Sequence, residues 1–349
     1  MNSTDLSIEE WHERNVQLTI EDNHKPTPAE AHMAALLAGS ITSAELAMKD
    51  FPEPRWVIPD LLPEGLSLLA GKPKTGKSWL ALNIAAAVSI GGCVLGSIQV
   101  ERGKVLYLAL EDSERRLKGR LDLIQAVPTD KLHFFTAWAK GEDALSDLRL
   151  WLTQNADTRL VVVDTLQRIR EPSVNGYSYS DDVEEIGKLA TLAGGRRLAI
   201  MVLHHTRKMA AFDFVDEISG TSGVTGSSDT IWALQRPRGS VEATLLITGR
   251  DLEERELSLR YDSAVGWASL GDAGEHRRSK EREEVLATVR DAGEPITPKE
   301  VADLLEKNPS TIRGLIRKLR QEGVLFEMTT GKYTVTGGNG HNGTTGATR

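Results

Sequence analysis

Residues 65–90 read GLSLLAGKPKTGKSWLALNIAAAVSI. An apolar run is followed by the octet Gly71-Lys72-Pro73-Lys74-Thr75-Gly76-Lys77-Ser78 and then by an alanine-rich helical pattern. The octet meets G-x-x-x-x-G-K-[ST] at every fixed position and lies between a predicted strand and a predicted helix, where phosphate binding needs it. Its glycines let the backbone wrap so that N–H groups and the positive helix terminus face phosphate oxygens. Lys77 is expected at the β and γ oxygens and Ser78 on Mg²⁺, with Gly71, Lys74, Thr75, Gly76 and Trp79 as further nucleotide contacts. ATP and Mg²⁺ are the implied cofactors.

Outward from this stretch, short apolar runs alternate with helical spacing. GLSLLA (65–70), KVLYLAL (104–110), LHFFTA (132–137), RLVVVD (159–164) and RLAIMVLHH (197–205) read as strands. The intervening segments have helical periodicity, so the expectation is an α/β fold with a mostly parallel sheet covered on both faces. From Thr230 the pattern becomes strands alone (TIWALQRP, VEATLLITGR, ELSLRYD, GWASL), which predicts an antiparallel tail.

A phosphate loop needs an acid at the end of a second buried strand to hold the magnesium shell, and Asp164 closes RLVVVD. Glu111, after VLYLAL, is the candidate general base, on the premise that a strand end next to the phosphate-loop strand reaches the γ-phosphate. Asp112 is the alternative, or it caps the helix starting at Ser113. Of His204 and His205, adjacent residues on one strand, one should face the nucleotide and the other pack; His205 is preferred as a γ-phosphate sensor. Two loops, 165–180 and 206–228, are long for a compact domain and begin with basic residues. Arg168, Arg170, Arg207 and Lys208 are therefore candidate DNA contacts. Arg250 ends an apolar strand and is the candidate for an arginine inserted into a neighbour's site, with Arg236 competing.

The rest of the 349 residues divides by composition. Residues 1–50 are a polar arm with amphipathic stretches at Pro28–Leu37 and Thr42–Met48, read either as a tail or as a strap on a neighbouring subunit. The ATPase domain is placed at 51–271, a polar linker at 272–280, three helices and a hairpin at 281–336, and an apolar-poor tail at 337–349. Net charge is −8, so any nucleic acid is held by local patches. One cysteine excludes a disulfide framework or a multi-thiolate zinc site. No apolar run reaches the ~20 residues of a membrane span, and the expected location is cytoplasmic.

These blocks, in this order, resemble the RecA-like ATPases of the RepA type, ring helicases of plasmids and phages related to the DnaB-like replicative helicases. The resemblance spans about Phe51 to Leu270 and rests most on the phosphate-loop block, YLALEDSERRLKGRL, LVVVDTLQR, VLHHTRK, SGTSGVTGSSDTIWAL and ITGRDLEERELSL. It implies a homo-oligomer, a hexamer, with ATP between subunits and single-stranded DNA in a pore lined by the two loops. It also implies Glu111 as the water activator, Asp164 in the magnesium shell, His205 as sensor and Arg250 acting in trans. Many relatives have a lysine two residues before that arginine, where this sequence has Thr248.

The unit 281–336 resembles a winged helix. Ser310, Thr311, Arg313, Arg317 and Lys318 lie on its second helix-turn-helix element, the one such units place in the major groove. Residues 279–336 hold 10 Lys+Arg against 10 Asp+Glu, so a basic face there is local, and the partner is duplex DNA or a protein. The leading functional reading is an ATP-driven DNA helicase. The alternatives are a RecA-like recombinase and a winged-helix regulator with an ATPase switch.

Overall fold

The computed structural model describes residues 27–171, 179–205 and 222–335. The chain divides into two compact units, Met1–Glu53 and Pro54–Arg349. In the first, α1 (Pro28–Ala38) and α2 (Ser43–Ala47) each begin with a reciprocal capping box, Thr27 with Glu30 and Thr42 with Glu45. Neither helix has a buried residue.

The second unit is built on one nine-stranded sheet. In chain order its strands are β1 (Gly65–Gly71), β2 (Lys104–Ala109), β3 (Leu132–Phe135), β4 (Thr158–Asp164), β5 (Ala199–His205), β6 (Thr230–Gln235), β7 (Glu242–Gly249), β8 (Arg255–Asp262) and β9 (Gly266–Asp272). They lie in the order β9-β8-β7-β6-β1-β5-β4-β2-β3. The strands from β6 to β3 are mutually parallel, and β7, β8 and β9 continue antiparallel. This is the expected α/β class with one correction: β6, expected in the antiparallel tail, pairs parallel with β1. Trp232 on β6 is fully buried and its indole N–H donates to the Leu61 carbonyl at 3.2 Å, which fixes that strand in the core.

Alternation along the strands divides the core into two layers. Leu160 and Val162 of β4 and Met201 and Leu203 of β5 face α3 (Lys77–Ile90), while Val161, Val163, Ile200 and Val202 face the opposite layer. That layer is closed by Leu145, Leu148 and Leu152 of α5 (Gly141–Gln154) and by Ile186 and Leu189 of α6 (Tyr179–Arg196), whereas α4 (Glu114–Leu123) follows β2 and buries Leu117 beside α3. Both faces of the parallel part are thus dry, and its strand ends are where polar chemistry can collect.

Residues expected as a linker at 272–280 are instead the start of a helix, α7 (Ala273–Asp291), capped by Asp272, whose carboxylate accepts from the Glu275 N–H at 2.8 Å. Charge pairs tie this helix back to the sheet: Lys280 with Glu242 at 2.9 Å and Arg277 with Glu256 at 3.0 Å. It continues into α8 (Pro298–Leu304), α9 (Pro309–Gln321) and a hairpin of β10 (Phe326–Thr329) and β11 (Lys332–Thr334). Ile312, Ile316 and Leu319 of α9 pack with Val285, Val289 and Val301 in a separate core. Among the described residues no helix is long and apolar enough to cross a membrane.

Candidate nucleotide site

The loop between β1 and α3 has the alternating backbone of an anion-binding nest, with Lys74 at φ 66° and Gly76 at φ 104°. Gly76 is required on two counts: its φ disfavours L side chains, and a Cβ there would stand 2.8 Å from Cζ2 of Trp267. Lys77 is buried beneath the loop. Its ammonium donates to the carbonyls of Gly71 at 2.7 Å and Lys72 at 3.1 Å and sits 3.1 Å from Nδ1 of His205. Burial pushes the ammonium down to about 8, against the opposing pull of Asp164 and Glu111. A triphosphate would supply the negative charge that this desolvated cation lacks.

The register sets the other groups around it. Gly71 pairs with His205, and Ala109 with Asp164, so β1, β5, β4 and β2 end together. Asp164 lies on the α3 face; Oδ2 accepts from the Tyr107 hydroxyl at 3.1 Å, and Oδ1 is buried without a hydrogen bond of its own. Burial raises its carboxyl, while the neighbouring Ser78 and Tyr107 hydroxyls pull it down. A buried carboxylate oxygen left open beside a serine hydroxyl suits a divalent cation completed by phosphate oxygens and water. Among the described residues there is no cluster of three or more His, Cys, Asp or Glu that could hold a metal unaided.

Glu111 and Asp112 have different surroundings. Asp112 is ion-paired with Arg116 at 3.0 Å and with Arg120, and its side chain is almost covered. The carboxylate of Glu111 stays partly exposed, accepting from the Thr165 hydroxyl at 3.3 Å and lying 3.4 Å from Nε of Arg168. Glu111 is therefore the carboxylate left open to solvent, whereas Asp112 is committed to two cations. The premise that β2 adjoins the phosphate-loop strand is corrected: β5 and β4 lie between, three strand spacings or about 14 Å. Glu111 nonetheless acts on Lys77 because it lies beyond the strand end.

A profile of the AAA domain family matches residues 11–211, more than half of the sequence. The chain belongs to this AAA domain family. Its fold is similar to that of an ATPase domain solved by itself, with a TM-score of 0.50 at 14% identity over 71% of this chain and 100% of that one. A DnaB-like replicative helicase gives a TM-score of 0.51 at 16% identity over 75% and 74%. At these identities the likeness shows the RecA-like P-loop fold. DNA repair protein RadA of Streptococcus pneumoniae is 25% identical over 150 residues, 42% of this chain and 31% of that relative's length.

Within this AAA domain the two histidines divide between the two faces of β5. His205 faces Lys77. His204 points to the other layer, where burial and the Arg170 charge push it down to about 4, so it is neutral at ordinary pH. Arg170 corrects an expectation. Its guanidinium is 5% exposed and clamped by Asp182 at 2.6 Å and Glu185 at 2.7 Å, so it fastens the chain to α6 and offers nothing to DNA. Arg168, on the turn Leu166–Ile169, is exposed. Arg207 and Lys208 lie outside the described residues.

Trp79, expected at the nucleotide, packs edge-on against Tyr261 at 5.8 Å with the Arg120 guanidinium over its ring. Arg236 lies over Tyr261 and Trp267 and donates to the Ser240 carbonyl at 2.7 Å. Arg250 sits at the other end of the sheet, since Gly249 pairs with Thr230 and Thr230 with Ser67. It contacts Asp229 and the Gly226 carbonyl, cannot reach its own phosphate loop, and is 63% exposed. Ser310, Thr311, Arg313, Arg317 and Lys318 are exposed on α9.

Sequence reasoning missed Tyr107, Thr165 and Trp267. The first was detectable: Tyr107 shares its strand face with Ala109 and stands as a lone phenol in an aliphatic run, which calls for a buried hydrogen-bond partner. Trp267 gave no such signal. Its indole N–H donates to the Gly76 carbonyl at 3.2 Å across 191 residues of sequence.

Proposed function

We propose that this chain is an ATP-driven DNA helicase that assembles as a ring, a hexamer, and translocates on single-stranded DNA. The observation that carries this reading is the convergence of Lys77, Asp164, Glu111 and His205 at one sheet end, with Arg168 touching Glu111 from a chain segment that leaves the same end. Nucleotide chemistry and a cationic loop are thereby one ion pair apart. Likeness to the DnaB-like fold and to a DNA repair protein supports a DNA substrate.

In this mechanism Lys77 leaves the loop carbonyls for the β and γ oxygens, and His205 turns from Lys77 toward the γ-phosphate. Mg²⁺, when bound by Ser78 and Asp164, supplies charge neutralisation at those oxygens. Tyr107 fixes one oxygen of Asp164 and leaves the other buried without a hydrogen bond, available to the cation. Glu111 orients and deprotonates the attacking water. Arg250, unable to act in cis, is the choice for the arginine offered to a neighbour's site, because Arg236 is held by its own stack. The unit 281–336 acts as a winged helix on duplex DNA, its α9 cations Arg313, Arg317 and Lys318 having no ion-pair partner among the described residues.

The test is unwinding of a forked DNA with single-stranded tails, with ATP turnover measured in the same reactions. Wild type should unwind, Lys77→Ala should lose nucleotide binding and turnover by about 10³-fold, and Glu111→Gln should bind ATP but turn over roughly 10²–10⁴ slower. DNA-stimulated turnover without unwinding would shift the reading to a recombinase. Duplex binding without turnover would shift it to a regulator.

A further inference from the structure

Three observations meet at Arg168. Its guanidinium lies 3.4 Å from Oε1 of Glu111, the same oxygen that accepts the Thr165 hydroxyl at 3.3 Å. Its backbone is fixed on both sides: Leu166 and Ile169 are buried in the α5–α6 layer, and Arg170 is clamped by Asp182 and Glu185. Between these anchors the Arg168 side chain is 57% exposed. The residue is thus aimed at the base by rigid neighbours while its charge remains open to a solvent-borne anion.

We propose that Arg168 is a positioning residue that couples nucleic acid to hydrolysis, holding Glu111 Oε1 in a resting pose until a DNA phosphate takes the guanidinium. The inference rests on the reading of Glu111 as the base and of the chain as a DNA-dependent ATPase. A carboxylate and a phosphate compete for the same planar fork of donors, and arginine pairs well with either. Occupation of the fork by a phosphate leaves the Glu111 carboxylate, among the described residues, with the Thr165 hydroxyl as its hydrogen-bond donor and frees it to swing toward the attacking water. An exposed ion pair suffices, since it must yield on every cycle; a buried one would be too costly to break. Arg170, two residues on, shows the contrast, because its buried pairs leave it no exchangeable partner.

The experiment is steady-state ATP turnover of the full chain at saturating ATP, with and without a single-stranded homothymidine oligonucleotide, for wild type, Arg168→Ala, Arg168→Lys and Glu111→Gln. Arg168→Ala should raise the DNA-free turnover number about twofold to fivefold, the effect of losing one exposed pair, and bring the stimulation ratio toward one with the KM for ATP unchanged. Arg168→Lys should restore part of the restraint. Raising ionic strength should speed the DNA-free wild type, by screening the pair, and leave Arg168→Ala unmoved.

A stimulation ratio that survives in Arg168→Ala beside an inactive Glu111→Gln overturns the latch alone, as does an equal fall of both rates. Wild-type turnover that Glu111→Gln retains, or that DNA does not change, overturns the underlying reading as well. An Arg168→Ala protein with altered KM and no change in turnover number assigns Arg168 to structure and overturns the proposal.

Discussion

At the carboxyl ends of β1, β4 and β5, charged groups are taken out of water and committed to buried polar or charged partners. Lys77 directs its protons at loop carbonyls, Asp164 is held by Tyr107, and Arg170 is locked between Asp182 and Glu185. On α9 the arrangement is reversed: Ile312, Ile316 and Leu319 are buried in the core with Leu315 packed against it, and Arg313, Arg317 and Lys318 stand in solvent. The contrast locates where a substitution will register. A buried, paired charge shapes stability and the affinity of whatever displaces its partner, whereas a solvated charge on a finished helix matters only to a binding partner.

The severest test of that contrast is Arg170→Ala. It leaves Asp182, which is fully buried, without its main cation and should cost about 3–5 kcal/mol of stability, read by chemical denaturation. A loss below about 1 kcal/mol would show that the pair is better solvated than its burial implies.

A smaller effect is expected from pH. Burial pushes Lys77 in the ligand-free fold down to about 8, below its ordinary 10.5, and the negative charge of a bound triphosphate would restore its charge. Above about pH 8, nucleotide binding must therefore take up a proton, and ATP affinity should fall about tenfold per pH unit. Calorimetry in buffers of different ionisation enthalpy reads the proton directly. In the same window the unfolded chain still holds the proton that the native one has released, so the ligand-free fold gains stability as pH rises toward 10.5. Affinity flat across this range would mean that Lys77 stays charged in the free protein.

The mildest change is expected on the solvated side. Arg317→Ala should leave folding within about 0.5 kcal/mol of wild type and reduce the salt slope of duplex binding by about one. ATP turnover should not move. An unchanged slope in Arg317→Ala and Arg313→Ala alike would point α9 toward a protein partner.

How much of this was legible follows from the range of each interaction. The phosphate loop, the Asp164 strand end and the two-faced histidine pair are local patterns, and each could be located from short spacings before the sheet was known. The run 272–280 misled because it is polar throughout, yet a polar stretch is helical when it is capped and pinned by side-chain pairs such as Lys280 with Glu242. Arg170 misled for a related reason: two arginines in one loop have the same composition, and only the position of α6 decides which is buried.

The alternation of strands and helices, the phosphate loop and the Asp164 strand end could be read from the chain alone, because they depend on period and on fixed short spacings. Strand order was settled only when the sheet assembled. Inserting β5 and β4 between β1 and β2 moved Glu111 three strands from the loop, and folding β9 back placed the Trp267 indole on Gly76. Such contacts join residues far apart in the chain, and no local spacing encodes them; they are chosen when two apolar layers close over one sheet and bring distant strand ends together.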